Sequence, residues 1–447
     1  MPPGSLTLLA LLRPGSREPL GRTLRAIGDD IRGRRLEGDP TFPHIHFTRS
    51  DRIHFARFAI VEDPEGRRHR DRLLYAATFD GTLSEHIREL LAITTHMQAI
   101  WGHCQGYTGV EGFPAFVRAH AREPEALYIA FREGSVEAVR RGISLRRKVD
   151  AFLEADPAEG AARLEEMLAA EHRRRRRLLP RAAAFLAGTR ATLRRLLRAA
   201  PIVVDVARAV GAYGFGTVWR ASLTILATLD RYPAIRILNR VTGNRLPPMG
   251  SHYSSLPPDR CNAVRSPGPT GPPEPGDLPP SFREDVVAQN QLTLVTGVEP
   301  GQVLRLRAVL AAVQSLATRL SPPGSLTGIS TIHFVRWLVL DDDRRLLMLS
   351  DYDGSWENYI DEFAEMILSG LDAIWGGATG YPPDGARDLP GFKHFLRTHQ
   401  LPAQLFYSAY PDTTTLNILS DRELAREAGF LAGELPVPAT HATPPGD

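Results

Sequence analysis

The sequence predicts an α+β fold made of two βαββαβ units in one chain, with a helical insertion between them. Three observations predict it. The segment Ile53-His54-Phe55-Ala56-Arg57-Phe58, followed by Thr78-Phe79-Asp80-Gly81, Ile100-Trp101-Gly102 and Gly106-Tyr107, returns as Ile332-His333-Phe334-Val335-Arg336-Trp337, Asp351-Tyr352-Asp353-Gly354, Ile374-Trp375-Gly376 and Gly380-Tyr381. Internal repetition fixes the architecture on which every candidate site must sit. Both copies also read strand, helix, two strands, helix, strand, and the Asp341-Asp342-Asp343 turn makes the middle two strands a hairpin.

The first strand is the apolar run Leu6-Thr7-Leu8-Leu9-Ala10-Leu11-Leu12. It could pass for the core of a signal peptide, but no basic residue precedes it and no small-residue cleavage site follows. Leu6-Thr7-Leu8 with Pro14-Gly15 reappears deep in the chain as Leu292-Thr293-Leu294 with Pro300-Gly301, so the run is read as a strand. In the second copy the elements are a strand from Leu292 to Val298, a helix from Gln302 to Leu320, the hairpin Thr331 to Leu340 and Arg345 to Ser350, a helix from Trp356 to Trp375, and a strand from Gln404 to Tyr410. The first copy carries a longer hairpin loop, Glu62 to Asp71, and insertions at a hairpin tip are cheap. On its second strand, alternation sends His54, Ala56, Phe58 and Ile60 to one face and Ile53, Phe55, Arg57 and Ala59 to the other, both mostly apolar. A short helix precedes each last strand, with Gly112, Phe113, Phe116, Arg118 and His120 matched by Gly391, Phe392, Phe395, Arg397 and His399.

A unit of this order is the ferredoxin-like split βαβ, a four-stranded antiparallel sheet with both helices on one face. Two copies can pack their bare faces together, so the expected architecture is an intrachain α+β barrel of the dimeric type. The expected organisation is 1–150 for the first repeat, 151–245 for a helical Arg-rich insertion, 246–282 for a Pro-rich linker, 283–435 for the second repeat, and 436–447 for a disordered tail.

Ser135 to about Glu171, running from the end of the first copy into the insertion, reads as a surface-packed helix pair. Beyond it, Arg173 to Arg177 are consecutive, and Arg181, Arg190, Arg194, Arg195 and Arg198 follow without an acidic residue. Leu193, Leu196, Leu197 and Ala200 share one helical face while Arg190, Arg194 and Arg198 share another. A basic amphipathic helix suits an anionic membrane surface, where each Arg contributes on the order of 1 kcal/mol; the alternative is a solvated helix docked on the sheets. Ala209 to Leu229 is apolar apart from Arg220, which would cost roughly 3 kcal/mol at a bilayer centre. An interfacial or re-entrant helix is therefore expected over a true span. Eleven prolines between Leu246 and Ser281 mark the linker.

The 447 residues are 43% apolar and 23% charged, an ordinary globular balance with room for large cores. The net charge of +3 names no nucleic-acid partner, and the excess of arginine over lysine is compositional. Cys104 and Cys261 stand far apart, which argues against a disulfide framework and makes a reducing cytoplasm the expected compartment, with attachment to the inner face of the membrane.

The conspicuous polar groups on the strands are His54/Arg57 and His333/Arg336. A core-facing charge needs a partner, and Asp80 and Asp353 at the adjacent strand ends are the expected ones. An Arg beside an Asp at a cavity lip could also handle peroxide, the carboxylate moving a proton and the guanidinium stabilising an anion. The structural alternative is an internal ion pair, with each Asp also capping a helix. The duplicated Phe79-Asp80-Gly81 and Tyr352-Asp353-Gly354 resemble the superfamily of dye-decolourising peroxidases and chlorite dismutases. A closer resemblance is to an uncharacterised bacterial family of duplicated domains with IHFxR, DG and GHCxGY segments. The first resemblance implies haem between sheet and helices of one half, with Arg336 and Asp353, or Arg57 and Asp80, as distal catalytic groups and His399, His333 or His394 as axial ligand.

Other signals are weaker. His44 and His46 share a strand face and could bind a metal, though no third ligand is evident. His103-Cys104, replaced by Gly377-Ala378 in the second copy, could be an activated thiolate or small packing at a helix end. Two functions follow: a ligand-binding or interaction module at a membrane surface, holding a small apolar ligand or a protein, or a haem-dependent peroxidase-like oxidoreductase.

Overall fold

A computed structural model of the chain describes residues 3–31, 43–63, 71–132, 134–155, 160, 162–170, 288–341 and 343–429. The Arg-rich stretch, the apolar stretch from Ala209 to Leu229, the Pro-rich linker and the 436–447 tail lie outside these residues. The first half comprises β1 (Gly4–Leu11), α1 (Arg17–Ile31), β2 (Ile53–Val61), β3 (Arg72–Phe79), α2 (Leu83–Ile93), α3 (Met97–Trp101), α4 (Phe113–His120), β4 (Ala121–Arg122), β5 (Ala126–Ile129) and α5 (Val136–Ala155). The second comprises β6 (Gln289–Gly297), α6 (Val303–Ser315), β7 (Ile332–Leu340), β8 (Arg345–Asp353), α7 (Trp356–Trp375), α8 (Leu389–His399), β9 (Ala403–Ser408) and α9 (Thr415–Ala428). The N-terminal apolar run is thus a strand, buried along most of its length.

These strands form two antiparallel sheets in an α+β arrangement, one in the order β4-β1-β3-β2-β9 and one in the order β5-β7-β8-β6. The unit drawn from sequence closes each sheet with its own last strand, and the structure corrects this. β5 pairs with β7, from Ala126 opposite Trp337 to Ile129 opposite Phe334, while β9 pairs with β2, with Phe55 opposite Ser408. Each half therefore lends its final strand to the other. The exchange covers the edges of β2 and β7, which would otherwise expose unpaired backbone.

Helices cover the outer face of each sheet. Leu20, Leu24, Ile27, Phe58, Tyr75, Trp101 and Phe116 fill one such layer, and Leu306, Leu310, Trp337, Met348, Phe363, Trp375 and Phe392 fill the other. Between the inner faces lie Leu9, Ala59, Val61, Leu74 and Ala76 from one sheet and Leu338, Leu340, Leu347 and Leu349 from the other. Thr82 caps α2 through a reciprocal bond with Glu85, and Ser355 caps α7. The β7–β8 turn places Asp341 and Asp343 at φ of 57° and 71°, a left-handed conformation that Asp tolerates better than most side chains.

One further correction concerns β2. The ladder slips between Ile53 and Phe55, and again between Ile332 and Phe334, so His54 and His333 are each the extra residue of a β-bulge. Bulges re-aim side chains. Ile53 consequently packs with Ala56 and Phe58 on the helix side, whereas His54 joins Phe55 at the inner mouth of the sheets. Strict alternation had assigned them the opposite way.

Candidate functional site

The two bulged histidines form matching pairs with Asp80 and Asp353, the aspartates of the two Asp-Gly turns. His54 Nε2 lies 3.1 Å from Asp80 Oδ1, and His333 Nε2 lies 2.6 Å from Asp353 Oδ1; both histidine side chains are fully buried. The second carboxylate oxygen accepts a backbone N–H at the start of a helix, Val136 of α5 at 2.8 Å for Asp80 and Thr415 of α9 at 2.7 Å for Asp353. Both aspartates do serve as helix-terminal groups, but for α5 and α9, where the N-terminal partial charge favours a carboxylate.

Each carboxylate is placed to accept from Nε2, which leaves Nδ1 as the second hydrogen-bonding position of the ring. At His54 it meets the Tyr410 hydroxyl at 2.7 Å. At His333 the corresponding neighbour is Phe131, and Nδ1 has no partner. The rings of His54, Phe55, Phe131, His333, Phe334 and Tyr410 surround this point, with neighbouring centroids 5.3 to 6.4 Å apart. Burial, reinforced by Asp80 and Asp351, holds the Tyr410 hydroxyl well above the usual phenol range.

The arginines do not pair with Asp80 or Asp353. Arg57 crosses between the sheets to donate to the carbonyls of Leu292 and Ser350, to Thr293 Oγ1 and to the Asp351 carboxylate. Arg336 crosses the other way, to the carbonyls of Leu6 and Ala77 and the hydroxyls of Thr7 and Thr78. The contacts correspond position by position except that Thr78 stands where Asp351 stands and that Arg57 also donates to Gln291 Oε1 at 3.2 Å. Arg336 therefore lacks a carboxylate of its own; burial, with Arg57 nearby, lowers its pKa to about 10.

Arg336 and Asp353 thus do not converge; of the candidate axial ligands His333 is taken up by Asp353, and the other two lie elsewhere. His399 Nδ1 is 2.8 Å from the Phe395 carbonyl and its ring packs on Phe395, just as His120 does with Phe116. His394 is exposed on α8. The cavities between the second sheet and its helices are about 40 Å³, lined by Val313, Trp337, Phe363 and Ile367 among others, and about 10 Å³, lined by Met348, Tyr359 and Trp375 among others. No histidine lines either one. The residues present do not suit a haem, which needs far more room and an axial ligand aimed into it.

The weaker candidates resolve similarly. His44 bonds Asp30 at 2.8 Å and stacks on His46, and no group of three metal-ligating side chains occurs among the described residues. Cys104 is fully buried, with its thiol pushed up to about 12 by desolvation, and its backbone bridges Leu12 as Ala378 bridges Val298. Burial and the raised pKa fit the reading of Cys104 as small packing at a helix end. No helix among the described residues is long and apolar enough to cross a membrane.

A groove of about 310 Å³ opens between α5 and the β9–α9 turn, lined by Arg140, Ile143, Ser144 and Arg147 on one side and Ala409 to Thr413 on the other. Tyr410 is the link between this groove and the His54–Asp80 pair. Sequence reasoning missed Tyr410, Asp351 and the groove arginines. The first two were visible as positions where the copies differ, Phe131 against Tyr410 and Thr78 against Asp351; the groove was not, because it joins segments far apart in the chain.

Fold and site together define an α+β chain with two His–Asp pairs in matching positions and, among the described residues, a groove beside Tyr410. No family model, curated protein or solved structure matches it.

Proposed function

We propose that the protein is a binding module, a duplicated ferredoxin-like chain folded as an intrachain α+β barrel that takes its ligand in the groove beside Tyr410. The barrel reading is supported by the position-by-position match of the Arg57 and Arg336 contacts, which relates the two halves by an approximate two-fold. The observation that carries the binding reading is the commitment of the polar groups shared by the two hairpins. His54, His333, Asp80, Asp353, Arg57 and Arg336 are all engaged in holding sheets and helices together, whereas the groove offers about 310 Å³, at the lower end of the range for small-ligand sites. The two apolar cavities are too small for a ligand of that kind.

Attachment to an anionic membrane surface through 172–230, on the cytoplasmic side, is part of the proposal and rests on the Arg-rich pattern of that stretch. Liposome flotation of the intact chain against a 172–230 deletion tests it; equal flotation would remove that stretch as the anchor. The peroxidase alternative, with Arg336 and Asp353 distal and His399 axial, is tested by adding haem to the purified protein. The binding-module reading expects no Soret shift, while a Soret band abolished by His399→Ala would overturn it.

A further inference from the structure

We infer that the groove between α5 and the β9–α9 turn is a site for a small organic anion, a carboxylate or phosphate monoester with a short apolar body. This rests on the binding-module reading and names the chemistry of its ligand. The two groove arginines, Arg140 and Arg147, lie seven residues apart on α5, two turns along one face. Arg140 is fixed in place: it donates to the Ser50 carbonyl and, in an ion pair, to Asp51 Oδ1, each at 3.1 Å, and lies 3.5 Å from the Tyr407 hydroxyl. Arg147 is exposed and makes no ion pair among the described residues. Arg140 is thus held in place with its charge shared by Asp51, and the exposed Arg147 guanidinium is the one that can turn its paired N–H donors to a carboxylate or phosphate.

The rest of the lining sets the ligand's other properties. Ile143, Ala409, Pro411 and the Tyr410 ring give an apolar wall, and Ser144 and Thr413 supply hydroxyls. Asp412 is on the same rim and repels an anion. It therefore orients the ligand, with the charged end toward α5 and any hydrogen-bond donor toward the turn. A second anionic group at the far end of the ligand would meet Asp412, so ligands with a single carboxylate or phosphate group are preferred over dicarboxylates.

The test is calorimetric titration of the full chain with benzoate, phenyl phosphate and the neutral isostere benzamide. Arg147→Gln removes an exposed charge, and Ser144→Trp fills the groove from an exposed helix position. Expected are saturable binding of both anions, at least ten-fold weaker in Arg147→Gln, abolished in Ser144→Trp, and weakened by added salt. Benzamide binding as tightly as benzoate, lost in Ser144→Trp but unchanged in Arg147→Gln, would overturn the anion assignment and leave the groove as a ligand site. If none of the probes binds, or binding survives Ser144→Trp, both the anion assignment and the groove reading fail.

Discussion

Replacing Phe131 by Tyr should stabilise the protein, an uncommon outcome for a fully buried position. The ring centroids of Phe131 and His333 are 5.9 Å apart at 86°, and those of Tyr410 and His54 are 5.9 Å apart at 76°. A hydroxyl added to Phe131 would therefore reach His333 Nδ1 much as Tyr410 reaches His54 Nδ1 at 2.7 Å. A tyrosine hydroxyl serves as donor or acceptor, so the gain does not depend on the protonation of the ring. A buried hydrogen bond contributes about 1 kcal/mol net, and satisfying a previously unpartnered buried nitrogen adds to it. For folded halves of this size about 1 kcal/mol corresponds to a rise of roughly 2–4 °C in Tm. The reciprocal change, Tyr410→Phe, should lower stability by about 1–2 kcal/mol, because it leaves His54 Nδ1 bare. Chemical denaturation of both variants supplies the numbers, and ¹⁵N spectra of the histidine rings report which nitrogen changes. Destabilisation by Phe131→Tyr together with a neutral Tyr410→Phe would refute the reasoning.

Other expectations follow from the same geometry. Arg57→Met leaves Asp351 buried without its partner and should cost about 3–5 kcal/mol, more than Arg336→Met, and Asp351→Leu in the Arg57→Met background should recover part of the loss; urea titrations of the three variants decide it. His86 is fully buried with its pKa lowered to about 3 by desolvation, so the unfolded chain binds the extra proton between pH 6.5 and 3. Its contribution is present above pH 6.5 and is lost as pH falls toward 3, at up to ~1.4 kcal/mol per pH unit; His86→Phe should flatten that limb of a stability–pH curve, and an unchanged slope would exclude His86 as its source. In a Cys261→Ser background, Cys104 should resist iodoacetamide at pH 8 until denaturant is added, with mass spectrometry as the readout.

The repeat made much of this fold legible from the sequence. Apolar periodicity identified the hairpin β7–β8, and the echo of Leu6-Thr7-Leu8 in Leu292-Thr293-Leu294 identified β1 as a strand. The exchange of β5 and β9 was not legible, because a strand's own pattern states which face is buried but not which edge receives it. Nor were the bulges: one unpaired residue shifts the facing of His54 without altering the alternation that a reader sees. The choice of Asp351 over Asp80 as the partner of Arg57 depends on sheet-to-sheet distance, which has no local signature. In contrast, the differences between copies at Phe131/Tyr410 and Thr78/Asp351 lay in plain view, and they mark where the approximate symmetry of the site is broken.

The lending of final strands also bears on how the chain is made. The edge of β2 waits for β9, whose pairing brings Phe55 to Ser408 across most of the polypeptide. During synthesis the amino-terminal half therefore emerges before the strand that finishes its sheet exists, with its own β5 equally unclaimed. Such long-range pairings slow folding and leave open edges on the ribosome for the time needed to translate everything up to β9. A chaperone that shields strand edges would have its longest task on this protein between the appearance of β2 and that of β9.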